Sequence, residues 1–271
     1  MNIFDKFLRI RELGIFSIIV VIVIIASVID PRFMTVDSWR AVFLAIPLIL
    51  VMAMGQMMVI ICRHVDISIG STLAFAAIVI GLVFIHYPGI SLWLALIITS
   101  LVGLILGLIN GFIVTRFNVH SIIVTLGTLS LYRGLVFIVS GGRQIDRNDI
   151  PEHIVLFSQT SFFFSIPAIL IFSAVIVIIT HILMRHSVLG REIYATGSNP
   201  VAAHLKGINV TKVTLFCFGV CGMLAGIAGL FYASRFGYVN PGVTGVGIEF
   251  IVIAGVIIGG TSITGGSGSV L

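Results

Sequence analysis

The chain has 271 residues, 59% of them hydrophobic and only 9% charged, with a formal net charge of +5. A water-soluble domain carries about a quarter charged residues, so this composition excludes one. Uncharged runs of about 20 residues suffice to cross a bilayer core of about 30 Å as helices. The alternation of a membrane β-barrel is absent, and the pattern is that of an all-α polytopic membrane protein.

Charges bound about eight predicted spans. The first covers residues 13–29, between Glu12 and Asp30-Pro31. It lacks a small-residue cleavage site and reads as a retained span. The second covers 41–62, between Arg40 and Arg63. No formal charge lies between Asp66 and Arg116, and Tyr87-Pro88-Gly89 marks a turn that divides this stretch into spans at 67–85 and 90–115. The fifth span, 119–140, contains Arg133; the sixth covers 162–183; the seventh, 213–234, lies between Lys212 and Arg235. The eighth begins near Phe250 and runs into GGTSITGGSGSVL. So much glycine predicts a break or a re-entrant turn. The fourth span ends GFIVTRFN and the seventh GLFYASRFG, in opposite assigned directions. That is a hint of an inverted internal repeat.

Orientation follows from Lys and Arg in short loops. A cytoplasmic N-terminus puts Lys6, Arg9, Arg11, Arg63, Arg116, Arg185, Arg191, Lys206 and Lys212 inside. The outer loop 141–161 offsets Arg143 and Arg147 with Asp146, Asp149 and Glu152.

The largest inside loop, 184–212, carries GREIYATGSNPVAAHLKGI. Asn199 suits a helix N-cap and Pro200 the first helical position. Gly207 suits a left-handed stop. Val201 and Leu205 lie one turn apart on one face. A two-turn helix is marginal alone and needs a partner surface. That surface is either the protein's own membrane face or another subunit.

Polar groups within spans are the second clue, because charge at mid-bilayer is costly. Asp66 either caps the third span at a cytoplasmic corner, pairing with Arg63 or His64, or faces a pathway with Ser68 and Ser71. Thr125 and Thr128 bond their own helix carbonyls or line the same pathway, and Arg133 interrupts the fifth span or snorkels outward. Gln56 and Asn110 read as helix–helix contacts. Glu249 stands at the outer start of the eighth span, where it favours the helix N-terminus. Cys62, Cys217 and Cys221 suggest apolar packing rather than a disulfide or metal framework.

Four ordered segments between about Val59 and Val270 resemble the ribose-type (monosaccharide) permease family of ABC importers. VDISIGS is similar to the family's IDLSVGS. NGFIVTRFNVHSIIVTLGTLSLYRG carries its NG, IVTLGT and RG elements. GREIYATGSNPVAAHLKGI follows its GR-x-x-YA-x-G-x-N-x-x-AA-x-x-x-GI, and GVIIGGTSITGGSGS its VIGGTSLTGG-x-GS. GQMMVIICRHVDIS and TLGTLSLYRGLVFIVSGG are closest to rhamnose-type and autoinducer-2-type permeases. Arg63-His64 replaces two glycines of the family pattern, Phe250 replaces an acid, and Val201 replaces the Glu of the EAA-type loop.

The resemblance implies a type II-like importer permease of about ten spans in a bacterial inner membrane. The present chain then looks C-terminally truncated or a fragment. Two permease subunits, alike or different, would form a pathway for a small sugar (rhamnose-like, ribose-like or autoinducer-2). Separate ATPase subunits would bind ATP-Mg, and a periplasmic sugar-binding protein would deliver substrate. This chain has no G-x-x-x-x-G-K-[ST] loop of its own, so it is expected to bind no cofactor and catalyse no reaction. Gly190, Arg191, Asn199, Pro200, Val201, Ala202, Ala203, Leu205 and Gly207 would form the coupling segment on the ATPase.

Two rivals lie outside that class. An ion-coupled secondary transporter needs an intramembrane acid, for which Asp66 and Glu249 are the candidates. An intramembrane serine protease would use Gly265-Gly266-Ser267-Gly268 as a nucleophile turn. No His follows Ser267, and His181 sits near the inner end of the sixth span.

Overall fold

Hydrophobic length decides which segments become spanning helices. The structure, a computed structural model, describes residues 11–162 and 166–270. Lys6 and Arg9 of the orientation argument, and residues 163–165 of the predicted sixth span, lie outside the described residues.

Six helices are long and apolar enough to cross a membrane: α2 (Val36–Ile61), α3 (Ile69–His86), α4 (Leu92–Phe117), α5 (Ser121–Ser140), α7 (Ala168–His186) and α10 (Val210–Phe236). α1 (Arg11–Ile29) and α11 (Ile248–Ile258) correspond to the predicted first and eighth spans, with shorter apolar segments. Three short helices lie between spans: α6 (Glu152–Gln159), α8 (Val188–Ser198) and α9 (Pro200–Leu205). Two-residue strands at Ser161–Phe162 and Ile166–Pro167 pair antiparallel before α7.

The chain divides into two compact units, 1–45 and 46–271, with the boundary inside α2. In the first, Asp30 accepts a hydrogen bond from the Arg32 amide at 2.9 Å and starts a 3-10 turn with Pro31 in its first positions. Phe33, Trp39 and Phe43 then stack in sequence.

The second unit is organised around an antiparallel crossing of α4 and α10. Glycines at 103, 107 and 111 on α4 meet glycines at 222 and 226 and the backbone of Phe218 and Leu215 on α10. A methyl group at Gly103 would strike the Gly222 carbonyl, and one at Gly226 the Thr99 carbonyl. Small residues one turn apart let the backbones touch, which substitutes for the hydrophobic drive that lipid removes. The same residue types end both helices. Arg-Phe is followed by Asn118 at φ 51° in α4 and by Gly237 at φ 68° in α10, both left-handed caps. The paired sequence endings therefore correspond to two antiparallel helices in direct contact.

α2 meets α10 near the start of α10, where Cys62 Sγ lies 3.5 Å from Cys217 Sγ and Gly55 packs on Cys221. α3 meets it much farther along, where Gly229 packs on Leu73 and Ala77. Residues 62–68 therefore climb through the interior instead of turning at a surface. α11 starts beside the first turn of α3: Gly70 abuts the Gly245 carbonyl and the Glu249 carboxylate. This corrects the outer placement of Glu249. The segment 237–247 dips inward from the end of α10 before α11 begins.

At the opposite end of the bundle from α8 and α9, Ile145 bridges to Val239. Arg143 pairs with Asp149 at 3.3 Å, and Gln144 Oε1 accepts from Asn240 Nδ2 at 2.7 Å. α6 is tied to α10 by Ser158 Oγ donating to the Ser234 carbonyl at 2.9 Å.

Candidate functional site

The α8–α9 segment is built by caps. Ser187 accepts from the Gly190 amide at 2.9 Å and opens α8. Gly190 is buried where a side chain would collide with the Met184 carbonyl, whereas Arg191 is exposed at the mouth of a cavity shared with His181 and Tyr194. Asn199 Oδ1 accepts from the Ala202 amide at 3.0 Å, and Pro200 occupies the first turn of α9. The Ile208 amide returns to the Ala203 carbonyl at 3.1 Å and the Gly207 amide to His204 at 2.9 Å, with Gly207 at φ 85°. That pair of bonds is the Schellman stop, which only glycine adopts cheaply. Ala203 is 2% exposed and seats the helix. Ala202 faces out, and the two large apolar residues, Val201 at 70% and Leu205 at 82% exposure, are left uncovered by the described residues.

Beneath this segment lies a joint that the sequence pattern alone does not reveal. Arg63 sits at φ 67°, in the left-handed region where glycine is at ease. Its guanidinium donates to the carbonyls of Gly197 and Ser198, the last residues of α8. The glycine-rich tail closes the other side: the Gly266 amide donates to the Ile61 carbonyl at 2.9 Å, and Tyr194 donates to the Gly268 carbonyl at 2.8 Å. The one available signal was the replacement of a family glycine by Arg63.

Farther in, Asp66 and Ser68 form a buried polar corner. Asp66 is 1% exposed and accepts from the Ser68 amide (2.8 Å), Ser68 Oγ (2.7 Å) and Asn110 Nδ2 (3.4 Å). It pairs with neither Arg63 nor His64. Asn110 also donates to Ser68 Oγ at 2.8 Å and accepts from the Tyr132 hydroxyl at 3.1 Å. The Gln56 carboxamide, oriented to match its surroundings, pairs with both backbone groups of Asp66 at 3.2 and 3.3 Å, as a neighbouring strand would. Gln56 and Asn110 therefore hold this corner rather than simply joining helices.

Ser71 donates to the Ser68 carbonyl at 2.7 Å. Thr125 donates to its own helix at Ser121 (2.9 Å) and also reaches the Val65 carbonyl (3.3 Å). Thr128 lies one turn along the same buried face of α5. Arg133 donates to the Thr244 carbonyl in the inward-dipping segment. Asp66, Ser68 and Thr125 are thus gathered at one corner, with Ser71 and Thr128 flanking it and Arg133 farther along α5. Nearby, Glu249 is 6% exposed and one of its carboxylate oxygens has no hydrogen-bond partner among the described residues. Toward the α8 end, burial and then the charge of His120 pull His64 down to about 4.

Comparison with known proteins places this chain in a family. Residues 40–269 match the family described as the branched-chain amino acid transport system / permease component. The autoinducer 2 import system permease protein LsrC of Salmonella paratyphi B is 33% identical over 261 residues, covering 96% of this chain and 74% of the relative. Its counterpart in Yersinia enterocolitica is 33% identical over 245 residues, covering 90% and 66%. That of Escherichia coli O9:H4 is 31% identical over 261 residues, covering 96% and 75%. No solved structure matches. The chain is a multi-pass membrane protein, a transport subunit rather than an enzyme, and it belongs to this family of permease components.

Proposed function

We propose that this chain is the translocation subunit of an ATP-driven importer for a small sugar-like molecule of the autoinducer-2 class. The observation that carries the reading is identity of 33% to autoinducer 2 import permeases over 96% of the chain. It acts as one of a pair of permease subunits, receives substrate from a periplasmic binding protein and draws work from separate ATPases. Arg185, Arg191, Lys206 and Lys212 lie around α8 and α9, and such a cluster supports putting this end on the cytoplasmic side of a bacterial inner membrane. On that reading the N-terminus is cytoplasmic too.

α9 is the coupling helix. Asn199, Pro200 and Gly207 cap it, Ala202 and Ala203 give it its small faces, and Gly190 and Arg191 belong to the supporting α8. Val201 and Leu205 insert into the ATPase. Two apolar side chains left this exposed on a helix too short to stand alone support a partner surface. The pathway runs beside the corner formed by Asp66, Ser68, Ser71, Thr125 and Thr128, with Arg133 farther along α5. Polar groups held inside a membrane protein favour such a route.

Leu205→Arg tests the coupling role. At 82% exposure the substitution leaves insertion and thermal stability unchanged, while ATPase association and uptake are lost. Normal assembly and uptake in that variant would sink the reading.

A further inference from the structure

The three cysteines have no framework spacing in the sequence, yet the fold brings two of them together. Cys62 follows the last residue of α2, and Cys217 lies two turns into α10. Their sulfurs are 3.5 Å apart, although the residues are separated by 155 positions. A disulfide holds its sulfurs at about 2.05 Å, so this pair needs to close by only about 1.5 Å to bond. The backbones are close enough for that. A methyl group at Gly55 of α2 would lie 2.6 Å from the Cys221 Cα, one turn farther along α10, and a disulfide needs such an approach of two main chains. Cys221 itself lies against the Gln56 carboxamide.

The two thiols differ in access. Cys62 is 2% exposed and lines a cavity of about 450 Å³ at the end of the bundle that carries α8 and α9. Cys217 is fully buried behind it. A small neutral oxidant that enters the cavity therefore meets Cys62 first.

We propose that Cys62 and Cys217 form a reversible, peroxide-sensitive pair whose disulfide fastens the start of the 62–68 stretch to α10. The oxidant is hydrogen peroxide. The Cys62 sulfur attacks one peroxide oxygen and the O–O bond breaks, giving the Cys62 sulfenic acid and one water, which carries off the thiol proton. The Cys217 sulfur then attacks the sulfenic sulfur. The S–S bond forms, the S–O bond breaks, and the departing hydroxide takes the Cys217 proton to become a second water. The two thiols lose two electrons and the peroxide gains them. A dithiol reductant opens the bond again by exchange. With a second sulfur 3.5 Å away, the sulfenic acid is consumed before more peroxide carries it to the irreversible sulfinic acid. The pairing stands on the two sulfurs and is independent of what the chain transports.

The test uses the full chain, reduced and then treated with hydrogen peroxide in detergent. Mass spectrometry without reduction recovers a peptide joining Cys62 to Cys217, and dithiothreitol abolishes it. Because the bond closes a long loop, it raises the thermal unfolding midpoint of the wild type, and hydrogen exchange over residues 62–68 falls. Cys62→Ala and Cys217→Ala lose the midpoint response to peroxide, whereas Cys221→Ala keeps both the joined peptide and the response. The order of attack is read with dimedone, which labels sulfenic acids. Cys217→Ala traps a labelled Cys62, whereas Cys62→Ala leaves Cys217 unlabelled; the reverse pattern overturns the assigned order. The comparison of oxidised with reduced wild type needs no variant to fold. Two thiols left free by peroxide, a Cys62 carried to sulfinic acid without the joined peptide, or a joined peptide that moves neither midpoint nor exchange reduces the pair to apolar packing and overturns the proposal.

Discussion

The Arg63 guanidinium donates a hydrogen bond of 2.7 Å to the carbonyl of Ser198. It thereby ties the polar corner between α2 and α3 to the last residue of α8, next to the N-cap of α9. Two opposing terms meet at Arg63. The left-handed backbone costs about 1–3 kcal/mol for a non-glycine residue, while hydrogen bonds from a charged donor contribute about 1.5–3 kcal/mol. Arg63→Ala keeps the cost and loses the bonds; Arg63→Gly loses both. Thermal unfolding in detergent is therefore expected to rank wild type and Arg63→Gly close together, with Arg63→Ala lowest. In both variants hydrogen exchange over residues 199–207 rises, because the tie to α8 is gone.

Asn110 is the shared partner of Asp66, Ser68 and Tyr132. Asn110→Ala strands buried polar groups and destabilises by about 1–3 kcal/mol. Tyr132→Phe removes one bond to Asn110 and one to the Leu106 carbonyl. Because both changes act on one network, the double variant costs measurably less than the sum of the singles. Additive costs in a double-mutant cycle would show that the two residues are not coupled.

At Gly103, Gly107, Gly222 and Gly226 the α4–α10 crossing leaves no room for a side chain. Gly222→Val drives a branched group into the Gly103 carbonyl and the Gly107 backbone, so its cost is expected at or above the usual overpacking range of about 1–3 kcal/mol. Gly134→Ala is the matched control, since a methyl group there meets nothing within 4 Å. It leaves the unfolding midpoint unchanged or slightly raised, by up to about 1 kcal/mol of helix propensity.

The caps of α9 supply a graded series. Asn199→Ala forfeits the bond to the Ala202 amide and costs about 1 kcal/mol of local helix stability. Gly207→Ala places a methyl group at φ 85° and costs a similar amount. Neither changes the apolar face, so reduced uptake with an unchanged global unfolding midpoint is the expected pairing. If uptake stays at the wild-type level in both, the ordered helix is not needed.

The spans and α9 were legible because each depends on local rules. Uncharged length sets the spans, and Asn199, Pro200 and Gly207 are cap chemistry that a neighbour-by-neighbour reading recovers. The corner at residues 62–68 was not legible in the same way. Its character depends on Gln56, Asn110 and Tyr132, which arrive from three different helices, and on Arg63 reaching α8 across the sequence. Charge counting left Asp66 either at a cytoplasmic corner or facing a pathway, and its partners hold it in the interior. Glu249 was misplaced for a related reason: hydropathy registers α11 as an apolar run but not the inward-dipping segment that precedes it.

The bare contact between α4 and α10 also has a mechanical consequence. Where Gly103, Gly107, Gly222 and Gly226 meet, backbone rather than side chain lies across the crossing, and rotating or sliding either helix there would drive backbone into backbone. They therefore behave as one stator. On the proposed function, the alternation that exposes first one end of the route and then the other is assigned to the irregular stretches at 62–68 and 237–247, which join helices to that fixed pair without belonging to it.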